Sequence, residues 1–419
     1  MTYGDRVRRS APLLVGVLLG PLLATLVTPP VAAHAPAAAR RDPVRLISDV
    51  SWDLGQDWRT GEKRGVRVRK GSLVLAENGT ARRYGGTRYD VGRWTSAWTA
   101  PGFGLTELIG SWQAATPRNS WVEVRVRGRV GEQTSSWDVL GRWAASDRRV
   151  RRTSVGGQGD DLADVAVDTW KVGDPGGVAS YQVQVRLMRR SGATSPSPAV
   201  DALHAVASRL PAALPSVSTP GPGVGVTLDV PRYSQMSHVG HSPGYGGGGE
   251  AWCSPTSTSM VLGYYGRLPG PATYAWVGEG HTDPWVDQAA RATYDAAYEG
   301  IGNWPFNTAF AAGLAGDAFV TRLADLRAAE KYIAAGIPLV ASISFETGEL
   351  TGAPISGTAG HLLVIVGFTA SGDVVVNDPA SRSRSGVRRT YDRAELEAAW
   401  LGGSGGVVYV IHDEAHPLP

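Results

Sequence analysis

The chain has 419 residues, 42 % of them hydrophobic, with 54 glycines, 14 tryptophans and one cysteine. That length exceeds one ordinary domain. The composition excludes a disordered or fibrous chain, and a single thiol excludes a disulfide-stapled scaffold. The net charge of +3 conceals a split: residues 41–200 carry 25 Lys and Arg against 17 Asp and Glu, whereas residues 201–419 carry 12 against 20. Two segments with different partners are expected.

Residues 1–33 read as an export signal: Arg6, Arg8 and Arg9 give a positive start, Ala11 to Val27 an apolar stretch, and Val31-Ala32-Ala33 a small-residue cleavage site. Pro12, Pro21 and Pro29-Pro30 argue against a membrane anchor. A secreted, extracellular or cell-wall-associated protein is expected. Residues 41–208 read as an all-β accessory domain of the sandwich or jelly-roll kind. Period-two alternation runs through 121–127 and 181–187, residues 72–76 are a shorter strand, and Gly and Pro clusters punctuate the stretch. Nine of the tryptophans fall here, among them Trp94, Trp98, Trp112, Trp121, Trp137 and Trp143. They suit sugar stacking, but filling the sandwich core is the expected role for most. The arginines are either solvated strand faces or a docking surface for anionic wall polymer. Residues 200–208 look like a short helix. Residues 211–226, rich in Pro and Gly, read as a linker, so residues 226–419 are expected to fold and act without the accessory domain. There is no internal repeat.

Past the linker the pattern changes. Helices are expected at 254–265, with Pro255 tolerated in the first turn, at 284–299, at 323–335 and at 393–401. Strands are expected at 338–345, 361–368, 373–377 and 406–412. A leading helix ahead of a mostly antiparallel sheet is an α+β layout.

The chemistry concentrates in this second segment. Cys253 stands at the start of its first helix, where unpaired N–H groups favour a thiolate, and in an oxidising compartment a lone cysteine needs a reason other than a disulfide. His361 opens one strand and Asp378 follows another. A turn at Ala370-Ser371-Gly372 would bring them together at the open end of a hairpin. Cys, His and Asp are the parts of a cysteine-nucleophile site. Attack on a carbonyl also needs oxyanion donors; the Cys253 N–H is one, and Gln235 in Val230-Pro231-Arg232-Tyr233-Ser234-Gln235 is the candidate for the other.

These stretches, Val-Pro-x-Tyr-x-Gln, Trp252-Cys253-Ser254-Pro255-Thr256-Ser257, Gly360-His361-Leu362-Leu363-Val364-Ile365-Val366-Gly367-Phe368 and Val375-Val376-Asn377-Asp378-Pro379-Ala380, resemble the double-glycine (bacteriocin-processing) peptidase-like branch of the papain-fold cysteine peptidases, family 39. The resemblance covers roughly residues 228–412. It implies an α+β papain-like domain over 227–419, Cys253 as nucleophile, His361 as base, Asp378 as orienting acid and Gln235 as oxyanion donor. Two features depart from the family pattern: Ser254 stands where glycine usually follows the cysteine, and the loop between Gln235 and Cys253 is long and glycine-rich. Leader peptides, the substrate of transporter-attached members, are not carried over, because no transporter or ATPase segment is read here.

A secreted cysteine peptidase cutting peptide or amide bonds is therefore expected. The alternatives are a peptidoglycan amidase or endopeptidase and an inactive cell-surface binding protein. The substrate is expected to be a peptide or cell-wall peptide, and the partner of the accessory domain an anionic wall polymer or glycan. No nucleic-acid partner and no cofactor are expected, and the chain is expected to be a monomer. His238-x-x-His241 with Cys253 lacks a fourth zinc ligand, so no metal is expected. Gly402-Gly403-Ser404-Gly405-Gly406 fits Gly-x-Ser-x-Gly without the strand-to-helix context of a nucleophile elbow and reads as a turn.

Overall fold

The computed structural model describes residues 42–419 apart from positions 54 and 78; the expected export signal lies outside the described residues. None of the described helices is long and apolar enough to cross a membrane. The first half is built from two seven-stranded antiparallel sheets. The long strands Ser120–Val130 and Ser180–Arg190 pair in one sheet, and Glu107–Ala115 and Ala199–Arg209 in the other. Val122, Val124 and Val126 of the first sheet share a core with Trp112, Leu203 and Ala205 of the second. Of the tryptophans in this half, Trp52, Trp58, Trp94, Trp112, Trp121, Trp143 and Trp170 are buried. Trp98 and Trp137 instead lie under the guanidinium groups of Arg127 and Arg129. Arg125, Arg142 and Arg186 converge on the buried Glu123, which accounts for part of the basic excess without any partner.

The expected helix at 200–208 is a strand, Ala199–Arg209. Its alanines favour a helix locally, and its burial shows no clean alternation because both faces are covered. Leu203, Ala205 and Ala207 enter the core of the first half, while Val206, with Ile109, enters the core of the second half.

In the second half a six-stranded antiparallel sheet runs in the order Asp317–Arg322, Val407–His412, Leu339–Phe345, Thr358–Phe368, Val374–Asn377, Arg388–Tyr391. The helix Cys253–Tyr264 packs on one face of it and the helices Leu326–Ala334 and Arg393–Gly403 pack beside the same strands. The expected helix at 284–299 stops at Thr293.

The helix Trp304–Ala315 was not evident in the sequence. Phe306 inserts between Trp112 and Trp143 of the first half, with ring centroids 6.0 and 5.7 Å away. Gly141 makes room for it: a Cβ there would lie 2.9 Å from Trp112 and 3.1 Å from Phe306. Residues 42–419 accordingly form one compact unit. The Pro/Gly stretch at 211–226 is irregular but pinned, with Arg393 Nε donating to Ser218 O and the Gly221 and Gly223 N–H groups donating to Glu330.

Candidate active site

Cys253 begins a 12-residue helix of unusual composition. Ser254, Thr256, Ser257, Thr258 and Ser259 are all fully buried. Small hydroxyl side chains let the helix lie close to the sheet and bond to it. Ser257 Oγ donates to Leu362 O at 3.1 Å, and Ser254 Oγ is 3.0 Å from the Tyr409 hydroxyl. Ser254, where the family pattern has glycine, is thus a docking contact of the Cys253 helix. The Ser257 bond fixes the helix start against the residue next to His361.

His361 and Asp378 belong to neighbouring antiparallel strands or their ends. The turn between them closes with Gly372 at φ 92°, its N–H donating to Thr369 O. Phe368 pairs with Val374 and Val364 with Asn377, with a register slip between Ile365 and Gly367. Extending that register puts Asp378 across from Leu363, one pleat from His361 and on the same face. His361 Nε2 lies 2.9 Å from Asp378 Oδ1, which leaves Nδ1 for the Cys253 thiol, and both residues line one cleft. Both His361 and Asp378 are buried; Cys253 is partly exposed to the cleft.

The electrostatics follow from those contacts. Burial acts against the His361 imidazolium, but the adjacent Asp378 carboxylate outweighs it and, with the thiol, holds the group up at about 10. Burial likewise opposes the thiolate, yet His361 and the N–H groups of Leu362 and Ser254 bring the Cys253 thiol below its ordinary value. Asp378 is also lowered: burial is outweighed by His361, Tyr391 and the Ala380 N–H. Thiolate and imidazolium therefore stabilise one another at neutral pH.

Gln235 sits in the single turn Gln235–His238 and lines the same cleft as Cys253 and His361. Its N–H donates to Pro379 O at 2.9 Å, and one proton of its side-chain amide goes to Glu250 O at 2.6 Å. The second amide proton is left for a ligand. The Cys253 N–H, in the first turn of its helix, has no intrahelical acceptor. The four residues singled out in the sequence are therefore together.

Three contributors were not evident in the sequence. Tyr391 donates its hydroxyl to Asp378 Oδ2 at 2.7 Å; its strand, Arg388–Tyr391, is too short to leave a periodic signal. Asn377 donates to Val230 O and Pro231 O and accepts from Arg388, tying the Gln235 segment to the Asp378 strand. The adjacency Asn377-Asp378 was the only available hint. Third, the cleft, about 690 Å³ in volume, has a wall from the first half: the tip of the hairpin Ala163–Ala166/Thr169–Val172, where Val167, Asp168 and Lys171 line it together with Cys253, Gln235 and His361. Val167 holds φ 59°, a left-handed conformation that costs a β-branched residue on the order of 1–3 kcal/mol and persists where surroundings enforce it. Asp168 anchors the tip, accepting from the Trp304 N–H at 2.9 Å. Glu299, which also lines the cleft, is left-handed too, at φ 54°.

No curated protein matches the chain. Residues 49–208 match the family described as Peptidase C39 N-terminal domain, and residues 227–406 match the Peptidase_C39 like family. These two matches fall on the two halves that meet at the cleft, and the chain belongs to the family 39 cysteine peptidase-like proteins.

Proposed function

We propose that this protein is an exported cysteine peptidase whose catalytic residues are Cys253, His361, Asp378 and Gln235, in a papain-like arrangement. The observation that carries the reading is the buried His361, held at Nε2 by Asp378 in the cleft that Cys253 also lines. A leading helix bearing the cysteine against an antiparallel sheet bearing the histidine and the aspartate supports the papain-like comparison. The thiolate attacks the scissile carbonyl carbon. The oxyanion forms between the Cys253 N–H and the free amide proton of Gln235. His361 then gives its proton to the leaving amine, producing a thioester. A water molecule, losing a proton to His361, attacks the thioester and releases the acid, restoring the thiolate–imidazolium pair.

The substrate is a peptide or cell-wall peptide lying between Cys253 and the hairpin tip of the first half. Export is supported by the arginine–apolar–small-residue pattern of residues 1–33. An anionic wall polymer is the partner of a second cavity, about 710 Å³, lined by Arg118, Arg148, Arg149, Arg152 and Arg291. Arg291 pairs with Asp147 and Arg152 is spent on carbonyls, but Arg118, Arg148 and Arg149 are exposed and have no carboxylate partner among the described residues.

The decisive experiment is alkylation of the sole thiol. Iodoacetamide should label Cys253 faster than it labels glutathione at neutral pH, and the labelled protein should lose hydrolysis of casein and of purified cell wall alike. Labelling no faster than glutathione, with no turnover of either substrate, would leave an inactive binding protein. Loss confined to the wall substrate would assign an endopeptidase or amidase of peptidoglycan.

A further inference from the structure

A second constellation lies outside the cleft residues. The Gln235–His238 turn and the loop after it bring His238 and His241 beside Asp287, which projects from the helix Pro284–Thr293. His238 Nδ1 is 2.9 Å from Asp287 Oδ2, and His241 Nδ1 is 3.3 Å from Asp287 Oδ1. One ligand atom from each of the three residues lies within 4.8 Å of the others. His238 and Asp287 are fully buried, while the His241 side chain is 20 % exposed.

Hydrogen bonding does not complete this cluster. His238 Nδ1 occupies one carboxylate oxygen, but Asp287 Oδ1, His241 Nδ1 and the other His238 nitrogen, Nε2, are buried and each is without a hydrogen-bond partner. Their separation of 3.3 Å is long for an N–H···O bond, whose mode is about 2.9–3.0 Å. It equals the edge of a zinc tetrahedron, about 3.3 Å for metal–ligand bonds of about 2.0–2.1 Å. On the far side of the ring, His241 Nε2 is 2.9 Å from His281 Nδ1. When Nε2 donates that bond, Nδ1 presents a lone pair to a carboxylate oxygen. A cation between them turns that repulsion into two bonds, and His281 behind the ligand takes the outer place, usually held by a carboxylate, carbonyl or water, that fixes the ligand's tautomer. Burying the Asp287 carboxylate also calls for a positive charge at that point.

We propose that His238, His241 and Asp287 bind a divalent transition-metal ion of the zinc class, with water in the fourth position. Two imidazoles and a carboxylate are a donor set suited to that class rather than to magnesium or calcium. Spacing alone could not reveal it, because Asp287 lies on a separate helix and the sequence reading supplied Cys253 as the third ligand, which faces His361 instead. The ion rivets the loop after Gln235 to the Pro284–Thr293 helix. The loop is already tightly seated: a Cβ on Gly249 would fall 2.2 Å from the His238 carbonyl carbon.

The test uses the full chain carrying Cys253→Ala, without an affinity tag, so that the reactive thiol holds no metal and the outcome is independent of the peptidase reading. After chelator treatment and dialysis, zinc is titrated against a chromophoric competitor. One saturable equivalent of micromolar or tighter affinity is expected, with a rise in the thermal midpoint. His241→Gln, at a partly exposed position that should tolerate the change, and Asp287→Asn should each weaken binding by at least tenfold. Absence of saturable binding in the folded parent overturns the proposal. So does undiminished binding in folded His241→Gln, which decides the matter alone where Asp287→Asn fails to fold.

Discussion

His361 has two duties that two substitutions separate. In the proposed mechanism it exchanges protons with thiol and leaving group, and it carries the positive charge that holds the thiolate. His361→Ala removes both and should lower turnover by about a hundredfold or more, the scale of a general acid–base residue. Asp378→Asn keeps an acceptor for the ring N–H but removes the carboxylate charge, the main influence opposing burial at His361. Its loss of turnover should be smaller. Its distinctive mark is in the pH profile. The active ion pair exists above the Cys253 value and below that of His361, so the alkaline limb of kcat/KM should lie near 10 in the parent. Without the Asp378 charge, burial dominates, the imidazolium gives up its proton more easily, and that limb should move towards neutral pH. An unmoved alkaline limb in folded Asp378→Asn, or near-parental turnover in His361→Ala, would remove these residues from the proposed machinery. Tyr391 acts through Asp378. Tyr391→Phe deletes one hydrogen bond to a buried carboxylate, a contribution of about 1.5–3 kcal/mol to stability. Without that donor the carboxylate keeps more negative charge towards His361, so the alkaline limb should move to higher pH, opposite to Asp378→Asn, with KM unchanged because the phenol does not line the cleft.

At the scale of elements, what could be read in the sequence depended on how many faces each element exposes. The strands holding Val364 and Val376 stood out as apolar runs bounded by turns, and the Cys253 helix by its Pro255 in the first turn, so the candidate site was legible from local chemistry. The Trp304–Ala315 helix was not. Pro305, Phe306, Asn307, Ala309, Ala311 and Ala312 are all buried, leaving no polar stripe to reveal a 3.6-residue period. The Ala199–Arg209 strand failed for the same reason, being sandwiched between two cores. The Asp168–Trp304 contact joins residues remote in sequence, and neither carries a local signature of it. Phe306→Ala tests the element that was hardest to see. Truncating a fully buried phenylalanine should cost about 3–5 kcal/mol. Because Phe306 touches Trp112 and Trp143, the loss should appear as one earlier denaturant midpoint reported identically by tryptophan fluorescence, dominated by the first half, and by activity, which reports the second. Two separated transitions in the parent protein would show that the shared core does not couple the halves.

For the whole molecule, the shared core argues against the expectation that residues 226–419 act alone. The halves are joined by more than Phe306. The buried Arg322 of the second half pairs with Glu107 at 2.6 Å and with Ser404 O at 2.7 Å. The Ser154 N–H donates to the Asp295 carboxylate at 2.9 Å. His204 stacks on Phe319 at 4.7 Å. Cutting at the 211–226 segment would expose Ile109 and Val206 on one side and the apolar face of the Trp304–Ala315 helix on the other, surfaces large enough to promote aggregation. It would also leave Glu107 and Arg322 unpaired and strip the cleft of its Val167–Lys171 wall. A 226–419 fragment expressed alone should therefore be poorly soluble or unfold at a markedly lower temperature than the full chain. Co-expression with 42–210 should restore a soluble one-to-one complex, because the missing interface is non-covalent. Turnover should return only in that complex, and most strongly for substrates long enough to reach the hairpin tip. A soluble, fully active 226–419 fragment, with a melting temperature equal to that of the full chain, would mean that the shared core contributes nothing and that the first half is dispensable for catalysis.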